Sequence, residues 1–591
     1  MAELRLVFQR TDTDVNVRAD FFGLDGNIAG GKPQPFAFEL EPDDYTDLRW
    51  YLETFMDLPM GGSVLRANRI EQSLVRWGRD LYHAVFDHGD HRDLIRDLIR
   101  AEMPRLLTIA TSDGELLRLP WELMADERGA LTRQDITIRR QLETVKQNLT
   151  YEAGSPLRVL LVVSRPDDAG FIDPRHSTRA LLDALTALQD KVTVEFCRPP
   201  TLAHLEEMLA EADGAYDIVH FDGHGNYNRL LGLGVLLFEK AQRPGRMQSE
   251  KDPVRADRLG NLLARYQIPL VVLEACRTSE VDDVAFRSVA PRLIEAGVGS
   301  VIAMSYAVHV EAAKILIERF YRELARGRTI GQAMEHGRGA LIAQPDRWLA
   351  YGPQGQTIQL QDWFLPQLYQ RGGDMALVGT VTQDTVHEAP VANRPLFSTG
   401  NEIGAFPHPP LYDFHGRARE LYHLERAFRT DRAILLHAMG GMGKTALARE
   451  AAQWLTRTGL FRHGACFLSF EQPVTAERIV QVLGTYLEGH AFESLSQDEQ
   501  YNRARALFQS HDVLMVWDNF ESALEMFADP EVASDHASTP MPMPGYNAEA
   551  RRRIIDLFRD WTQDGRGRLL ITCRPEETGL PGVRRVGIAG L

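Results

Sequence analysis

Two residues in this chain have the types to make an activated nucleophile. Cys276 closes the run Val271-Val-Leu-Glu-Ala-Cys276 and His224 closes His220-Phe-Asp-Gly-His224. Each follows a short apolar stretch, Asp217-Ile-Val-His-Phe221 for the imidazole and Pro269-Leu-Val-Val-Leu273 for the thiol, and each stretch is then broken by small or polar residues. Apolar runs of this length read as buried strands. In open α/β sheets reactive groups gather at the carboxyl ends of strands. An imidazole beside a thiol either withdraws its proton or holds it as a thiolate, and the thiolate attacks a carbonyl carbon. Alone, either feature is better read blandly: a Cys after a strand is a small core residue, and His-Gly is a turn.

The elements needed to bring the two together are legible. Leu157–Val163 is a continuous apolar strand, followed by a helix at 177–189, a strand at 191–196, a helix at 201–212 and a strand at 217–221. Such alternation predicts a parallel, doubly wound sheet. The polar stretch 239–256 reads as a loop between the His and Cys strands. Residues 1–150 open with strand-like alternation at Leu4–Phe8, continue through helical stretches near 42–60 and 69–103, and add strands at 106–110 and 136–139. His220 and His224 lie four apart, but on a strand that spacing separates them by about 13 Å. No further Cys/His cluster accompanies them, so zinc is not expected.

Several segments, in order, resemble a CHAT domain, of the caspase and separase clan of cysteine peptidases. They are 220–225, Glu274-Ala-Cys-Arg-Thr278, Arg292–Met304, Phe320–Ile330 with the stretch to Ile342, and upstream Leu119-Pro-Trp-Glu-Leu-Met124. The His-to-Cys separation is also near the roughly 50 residues of caspases. The resemblance implies Cys276 as nucleophile, His224 as general base, and the N–H groups of Gly225 and Cys276 as the oxyanion hole, where a glycine allows close approach. Glu274, two positions before the nucleophile, would line a pocket for a basic side chain, with Asp222 the weaker candidate. A surface ion pair is the bland reading of Glu274.

A second signal lies downstream. Arg432–His437 reads as a strand, Ala438-Met-Gly-Gly-Met-Gly-Lys-Thr445 as a glycine loop, and Ala446–Leu455 as a helix. This matches the phosphate-binding P-loop except that Ala438 replaces the first glycine. Gly440, Gly441 and Gly443 would let backbone N–H groups wrap phosphate oxygens at a helix N-terminus. Lys444 would reach the β/γ-phosphates, and Thr445 with Asp518, at the end of the strand Asp512–Trp517, would hold Mg²⁺. Arg568–Thr572 is a further strand ending near Arg574. With Phe414, Gly416 and Arg417, the segment 411–591 resembles the core of a STAND ATPase of the NACHT and NB-ARC branch. The resemblance implies ATP/ADP and Mg²⁺ as cofactors and Arg574 as a sensor of the γ-phosphate. Asn519 stands where many hydrolytic relatives carry a second acid, implying slow turnover and a switch. Glu521 could substitute only if the strand bends.

The expected organisation is therefore α/β throughout. An N-terminal α/β half (1–150) packs on a caspase-like doubly wound sheet domain (151–370). A Pro/Gly-rich linker (371–410) leads to a P-loop NTPase α/β domain (411–591), its helical lid and sensor repeats absent. The 591 residues suit three or four domains. With 25% charged and 44% apolar residues the balance is that of a globular protein. A net charge of −16 argues against a nucleic-acid partner. Four scattered cysteines imply no disulfide framework and fit a reducing cytoplasm. No signal peptide and no membrane span are expected.

The function these features imply is a nucleotide-switched cysteine endopeptidase of a bacterial defence or cell-death type. A missing C-terminal sensor would recognise the trigger, ADP-to-ATP exchange would drive homo-oligomerisation, and Cys276 would cleave a protein substrate. The alternatives are a non-proteolytic signalling scaffold with a degenerate peptidase domain, and a pure ATPase regulator. Intact Cys276 and His224 speak against the first. The second leaves the first 370 residues without a role.

Overall fold

The computed structural model describes residues 1–590 except 13, 25, 58, 144–150, 152–153, 155, 171–172, 174, 187–190, 229–232, 242–248, 276–283, 307, 350–355, 380–405, 408–413, 415 and 525–547. Two compact units are present. The first is built from Met1–Ala241 and Gln248–Val386, and the second takes in His387–Leu591.

In the first unit, twelve strands form one sheet. In chain order they are β1 (Ala2–Arg10), β2 (Val15–Phe22), β3 (Ile28–Gly30), β4 (Gln34–Pro35) and β5 (Arg105–Ala110). After a short hairpin of β6 (Ala125–Asp126) and β7 (Gly129–Ala130) come β8 (Ile136–Gln141), β9 (Leu157–Val163), β10 (Val192–Phe196) and β11 (Ile218–Gly223). A small separate sheet of β12 (Gly225–Asn228), β13 (Leu233–Glu239) and β14 (Lys251–Arg255) intervenes. The large sheet then resumes with β15 (Leu270–Ala275) and β16 (Ser300–Met304). A second hairpin, β17 (Asp346–Leu349) and β18 (Gln356–Gln359), precedes its last strand, β19 (Pro366–Gln370).

The order across the sheet is β10-β9-β11-β15-β16-β19-β8-β5-β1-β2-β3, with β4 on β2. β10, β9, β11, β15 and β16 are parallel. β19 runs antiparallel to β16, and β8, β5 and β1 run parallel to β19. Residues 1–150 thus contribute strands to the same sheet as the His and Cys strands, joined through β19 and β8. The sheet is mixed and mostly parallel.

Period-two alternation explains both layers. Ile218, Leu270, Val272 and Ile302 enter one apolar core with the helices Gly62–Phe86, Gly89–Arg100, Val310–Leu324 and Ile330–Ala343. Val219, Phe221, Val271, Leu273 and Val301 enter the other, with Leu202–Glu211, Ala256–Arg265 and Val284–Ala296. Strands covered on both faces read as unbroken apolar runs, which is why β9 and β15 were legible.

Three differences from the sequence reading have local causes. The helical stretch 42–60 passes from an α-helix (Pro42–Arg49) into a π turn (Trp50–Thr54) and a 3₁₀ turn (Phe55–Asp57), and the stretch 69–103 is divided at Gly89, whose φ of 47° interrupts a helix. The stretch 239–256 is not all loop: its end forms β14, whose Pro253 is tolerated because β14 lies at the edge of its three-stranded sheet. Asp374 accepts hydrogen bonds from the Thr329 hydroxyl and, at 2.8 Å, from the Gly331 N–H, so residues read as the start of a linker are tied to a helix N-terminus.

The second unit is a five-stranded parallel sheet. Its strands are β20 (Ala433–His437), β21 (Ala465–Ser469), β22 (Leu514–Asp518), β23 (Arg568–Cys573) and β24 (Arg584–Gly587), in the order β21-β22-β23-β20-β24. No helix of the described residues is long and apolar enough to cross a membrane.

Candidate functional site

β11 and β15 are adjacent and in register, with Asp222 opposite Glu274 and Gly223 opposite Ala275. His224 follows β11 directly and is buried. Cys276 follows Ala275 in sequence but lies outside the described residues.

The imidazole is held by the loop after β9. Its Nε2 lies 3.1 Å from the Gly170 carbonyl oxygen. A carbonyl only accepts, so Nε2 carries the proton and Nδ1 keeps the lone pair. Burial, and the positive charge of Arg165, hold the imidazole down at about 4, against an ordinary 6.5. The ring is therefore neutral at physiological pH. Gly170 has φ +79°, a backbone that favours glycine. No sequence signal marks it, because a backbone carbonyl has no side-chain signature. Gly225, the predicted oxyanion-hole donor, opens β12 and is buried beside His224.

Beneath His224, alternate residues of β11 and β15 build a buried polar layer. Asp222 accepts from Arg165 Nη2 at 2.6 Å, and its backbone carbonyl accepts from Nη1 at 2.7 Å. Glu274 faces His220, whose Nε2 lies 3.1 Å from its Oε2, and His220 Nδ1 lies 2.9 Å from the hydroxyl of Tyr321 on Val310–Leu324. A carboxylate only accepts, so His220 donates through Nε2 and receives the tyrosine proton at Nδ1. Both predicted pocket acids are therefore enclosed, Asp222 at 1% exposure and Glu274 at 3%. Neither forms the surface ion pair that is the bland expectation for Glu274. Burial pushes the Glu274 carboxyl upward, against the pull of His220.

The Pro-Trp-Glu-Leu segment has a structural task. Buried Glu122 receives Arg140 at 2.6 and 3.1 Å and Arg338 at 3.2 Å, tying β8 to the helix Ile330–Ala343. Trp121 Nε1 donates to the Leu116 carbonyl at 2.8 Å.

In the second unit, a glycine loop joins β20 to the helix Lys444–Arg457. Gly441 (φ 77°) and Gly443 (φ 79°) take the left-handed backbone that glycine alone adopts without strain. Lys444 Nζ donates to the Ala438 and Met439 carbonyls at 2.8 and 3.1 Å. Thr445 Oγ1 lies 3.0 Å from both carboxylate oxygens of Asp518, which also accepts from Thr572 at 2.5 Å. Asn519 has φ 56°, so the chain leaves β22 at a sharp angle into a 3₁₀ turn, Phe520–Ala523. That bend brings Glu521 to Arg574, Nε to Oε1 at 3.0 Å. Gly440, Gly441, Gly443, Lys444, Thr445, Asn519, Glu521 and Arg574 line one cavity of about 400 Å³. Arg417 is positioned from outside this cavity, donating to the Met442 and Ala589 carbonyls at 3.1 Å. Its neighbour Gly416 has φ 70°, and Phe414 is not among the cavity's lining residues.

The CHAT domain model matches residues 76–371, half of the chain. The chain belongs to the CHAT domain family, a caspase-like cysteine peptidase family. No curated protein matches it. Among solved structures, the Arg-specific cysteine proteinase gingipain R is 12% identical, covering 57% of this chain and 73% of its own, with a TM-score of 0.27. The complex of Porphyromonas gingivalis RgpB pro- and mature domains gives 11%, 57%, 75% and 0.26. C. elegans PCH-2 is 14% identical over 29% of this chain, with a TM-score of 0.19, and the chain spans 42% of its length. These TM-scores are too low to define a shared fold.

Proposed function

We propose that this chain is a cysteine endopeptidase acting through His224 and Cys276, switched by a nucleotide at the glycine loop 438–445. The observation that carries the peptidase part is the pairing of Gly223 with Ala275. Covalent continuity leaves residues 224 and 276 to follow from one level of adjacent strands, which are about 4.8 Å apart. Family membership over residues 76–371 supports the same chemistry.

The neutral imidazole favours general-base action over a preformed ion pair. His224 Nδ1 takes the thiol proton as Cys276 Sγ bonds to the scissile carbonyl carbon. The oxyanion is met by the N–H groups of Gly225 and Cys276. The proton then passes from Nδ1 to the leaving amine as the C–N bond breaks. Water, deprotonated by the same nitrogen, hydrolyses the thioester. A buried acid at position 274 suits a basic residue before the cleaved bond, provided that substrate entry displaces His220.

The switch rests on donor geometry. Thr445 and Asp518, a hydroxyl and a buried carboxylate 3.0 Å apart, fit the hard-oxygen preference of Mg²⁺. Lys444 and the loop N–H groups suit the phosphates of ATP or ADP. Bound Mg²⁺–ATP would supply the γ-phosphate whose loss distinguishes two states. Arg574 is available to read it, and nucleotide exchange would control homo-oligomerisation. This is the logic of a defence or cell-death device.

The test is a peptide-library cleavage assay with and without ATP. Cys276→Ala and His224→Ala should abolish cleavage and leave ATP binding intact, while Lys444→Ala should lose nucleotide and keep the dyad. Cleavage that persists in Cys276→Ala would remove Cys276 as the nucleophile, and absence of cleavage by the parent chain with ATP binding intact would leave the non-proteolytic signalling scaffold as the reading.

A further inference from the structure

The first unit contains a cavity of about 610 Å³, away from β11 and β15. That volume is within the range that takes a small ligand. Its walls are the chain entering β5 (Pro104, Arg105), the start of β8, and facing sides of the helices Val310–Leu324 and Ile330–Ala343.

Five arginines line it against three acids, Asp135, Glu318 and Glu335, in a chain whose net charge is −16. Arg319 and Arg322 are paired with Glu323 and Glu318. The other three lack a carboxylate partner among the described residues. Arg105 is pinned by backbone, Nε to the Ala101 carbonyl at 2.7 Å and Nη1 to the Gln134 carbonyl at 3.3 Å. Arg133 and Arg328 are exposed on the wall. A guanidinium fixed by carbonyls and lacking a counter-charge is suited to phosphate, whose oxygens match its fork of donors.

Two lining residues each hold a buried oxygen without a hydrogen-bond partner: Thr132 Oγ1, on a residue 7% exposed, and Glu335 Oε2, on a side chain 9% exposed whose other oxygen pairs with Arg338. Buried polar atoms are nearly always satisfied, so each such atom asks for a partner. A carboxylate oxygen asks for a donor, which a phosphate dianion cannot give. Burial, and the neighbouring Glu122, push the Glu335 carboxyl up to about 7, so it can meet a hydroxyl in either protonation state.

From the unpaired arginines and the two orphan oxygens on one cavity wall, we infer a binding site for a sugar phosphate or phosphorylated polyol. The phosphate meets Arg105, Arg133 and Arg328, and the hydroxyl groups meet Thr132 and Glu335. The helix Val310–Leu324 that lines the cavity also carries Tyr321, the hydrogen-bond partner of His220. An occupant would therefore press on an element that touches the β11–β15 polar layer.

The experiment is calorimetric titration of ribose 5-phosphate into the full chain carrying Lys444→Ala, which silences phosphate binding at the glycine loop. Ribose and inorganic phosphate are the comparison probes. Saturable one-to-one binding is expected with Kd at or below about 1 mM. The Arg133→Gln/Arg328→Gln double variant should weaken it about tenfold or more. A second variant guards against misfolding. Gly339 lines the cavity, is exposed on its helix and has open space where a Cβ would stand. Gly339→Leu should therefore fold, fill the cavity and abolish binding. The inference is overturned by no saturable binding, by binding that both variants retain, or by inorganic phosphate binding as tightly as the sugar phosphate.

Discussion

His224 donates through Nε2 to the carbonyl oxygen of Gly170 at 3.1 Å, so the imidazole is oriented by backbone rather than by a carboxylate. Burial and Arg165 outweigh the Gly170 hydrogen bond and the charge of Asp222, and the ring titrates at about 4. The acid limb of the kcat/KM profile is expected near pH 4 to 5. A limb at pH 6.5 or above would contradict the buried, neutral base.

The same group has a signed effect on stability. Between about pH 4 and 6.5 the unfolded imidazole binds a proton that the folded one refuses, so stability contributed by His224 rises with pH across that window. Above it both states are neutral and the contribution is flat. His224→Ala should lower the slope of unfolding free energy against pH in that interval, measured by urea titrations at several pH values.

Tyr321 gives its hydroxyl proton to a buried nitrogen of His220. Tyr321→Phe leaves that nitrogen without a donor at nearly constant shape. The expected loss is about 1–3 kcal/mol of stability, read as a fall in the denaturation midpoint at unchanged slope. A change under about 0.5 kcal/mol would mean that His220 has another partner available.

Glu122 is the shared acid of Arg140 and Arg338, all three fully buried. Glu122→Gln keeps the shape and removes the charge, leaving Arg140 facing a neutral amide and Arg338 with Glu335 as its remaining acid. Destabilisation of about 3–5 kcal/mol is expected. A midpoint within error of the parent would show that the existing Arg338–Glu335 pair suffices for this layer.

Glu521 reaches the glycine-loop cavity only because the chain turns at Asn519. Under the proposed nucleotide switch it is expected to act as the base for water. Glu521→Gln should lower ATP turnover by about 10²-fold or more while ADP binding persists. Unchanged turnover would remove Glu521 from that role.

What the sequence revealed, and what it hid, follows from where each signal resides. β9, β11, β15 and the strand–glycine loop–helix of 433–457 were legible because burial on both faces and positive-φ glycines each leave a mark in residue type. Gly170 was not, because its contribution is a carbonyl oxygen. The bend at Asn519 was posed by the sequence only as a condition, since a left-handed Asn looks like any other Asn. β12 and β13 pair locally, Asn228 opposite Leu233, and the apolar run of β13 was not assigned from the sequence. The enclosure of Glu274 by His220 and Tyr321 joins residues from two strands and a helix, and no spacing along the chain announces it.

The pairing of β8 with β19 carries one more consequence. Removing residues 1–150 to isolate the peptidase half would strip the neighbour from β19 and bare a row of backbone donors and acceptors beside apolar side chains. Such an open seam recruits other chains. The shortened protein should precipitate or self-associate, so an isolated catalytic fragment should begin at the first strand rather than at its apparent midpoint.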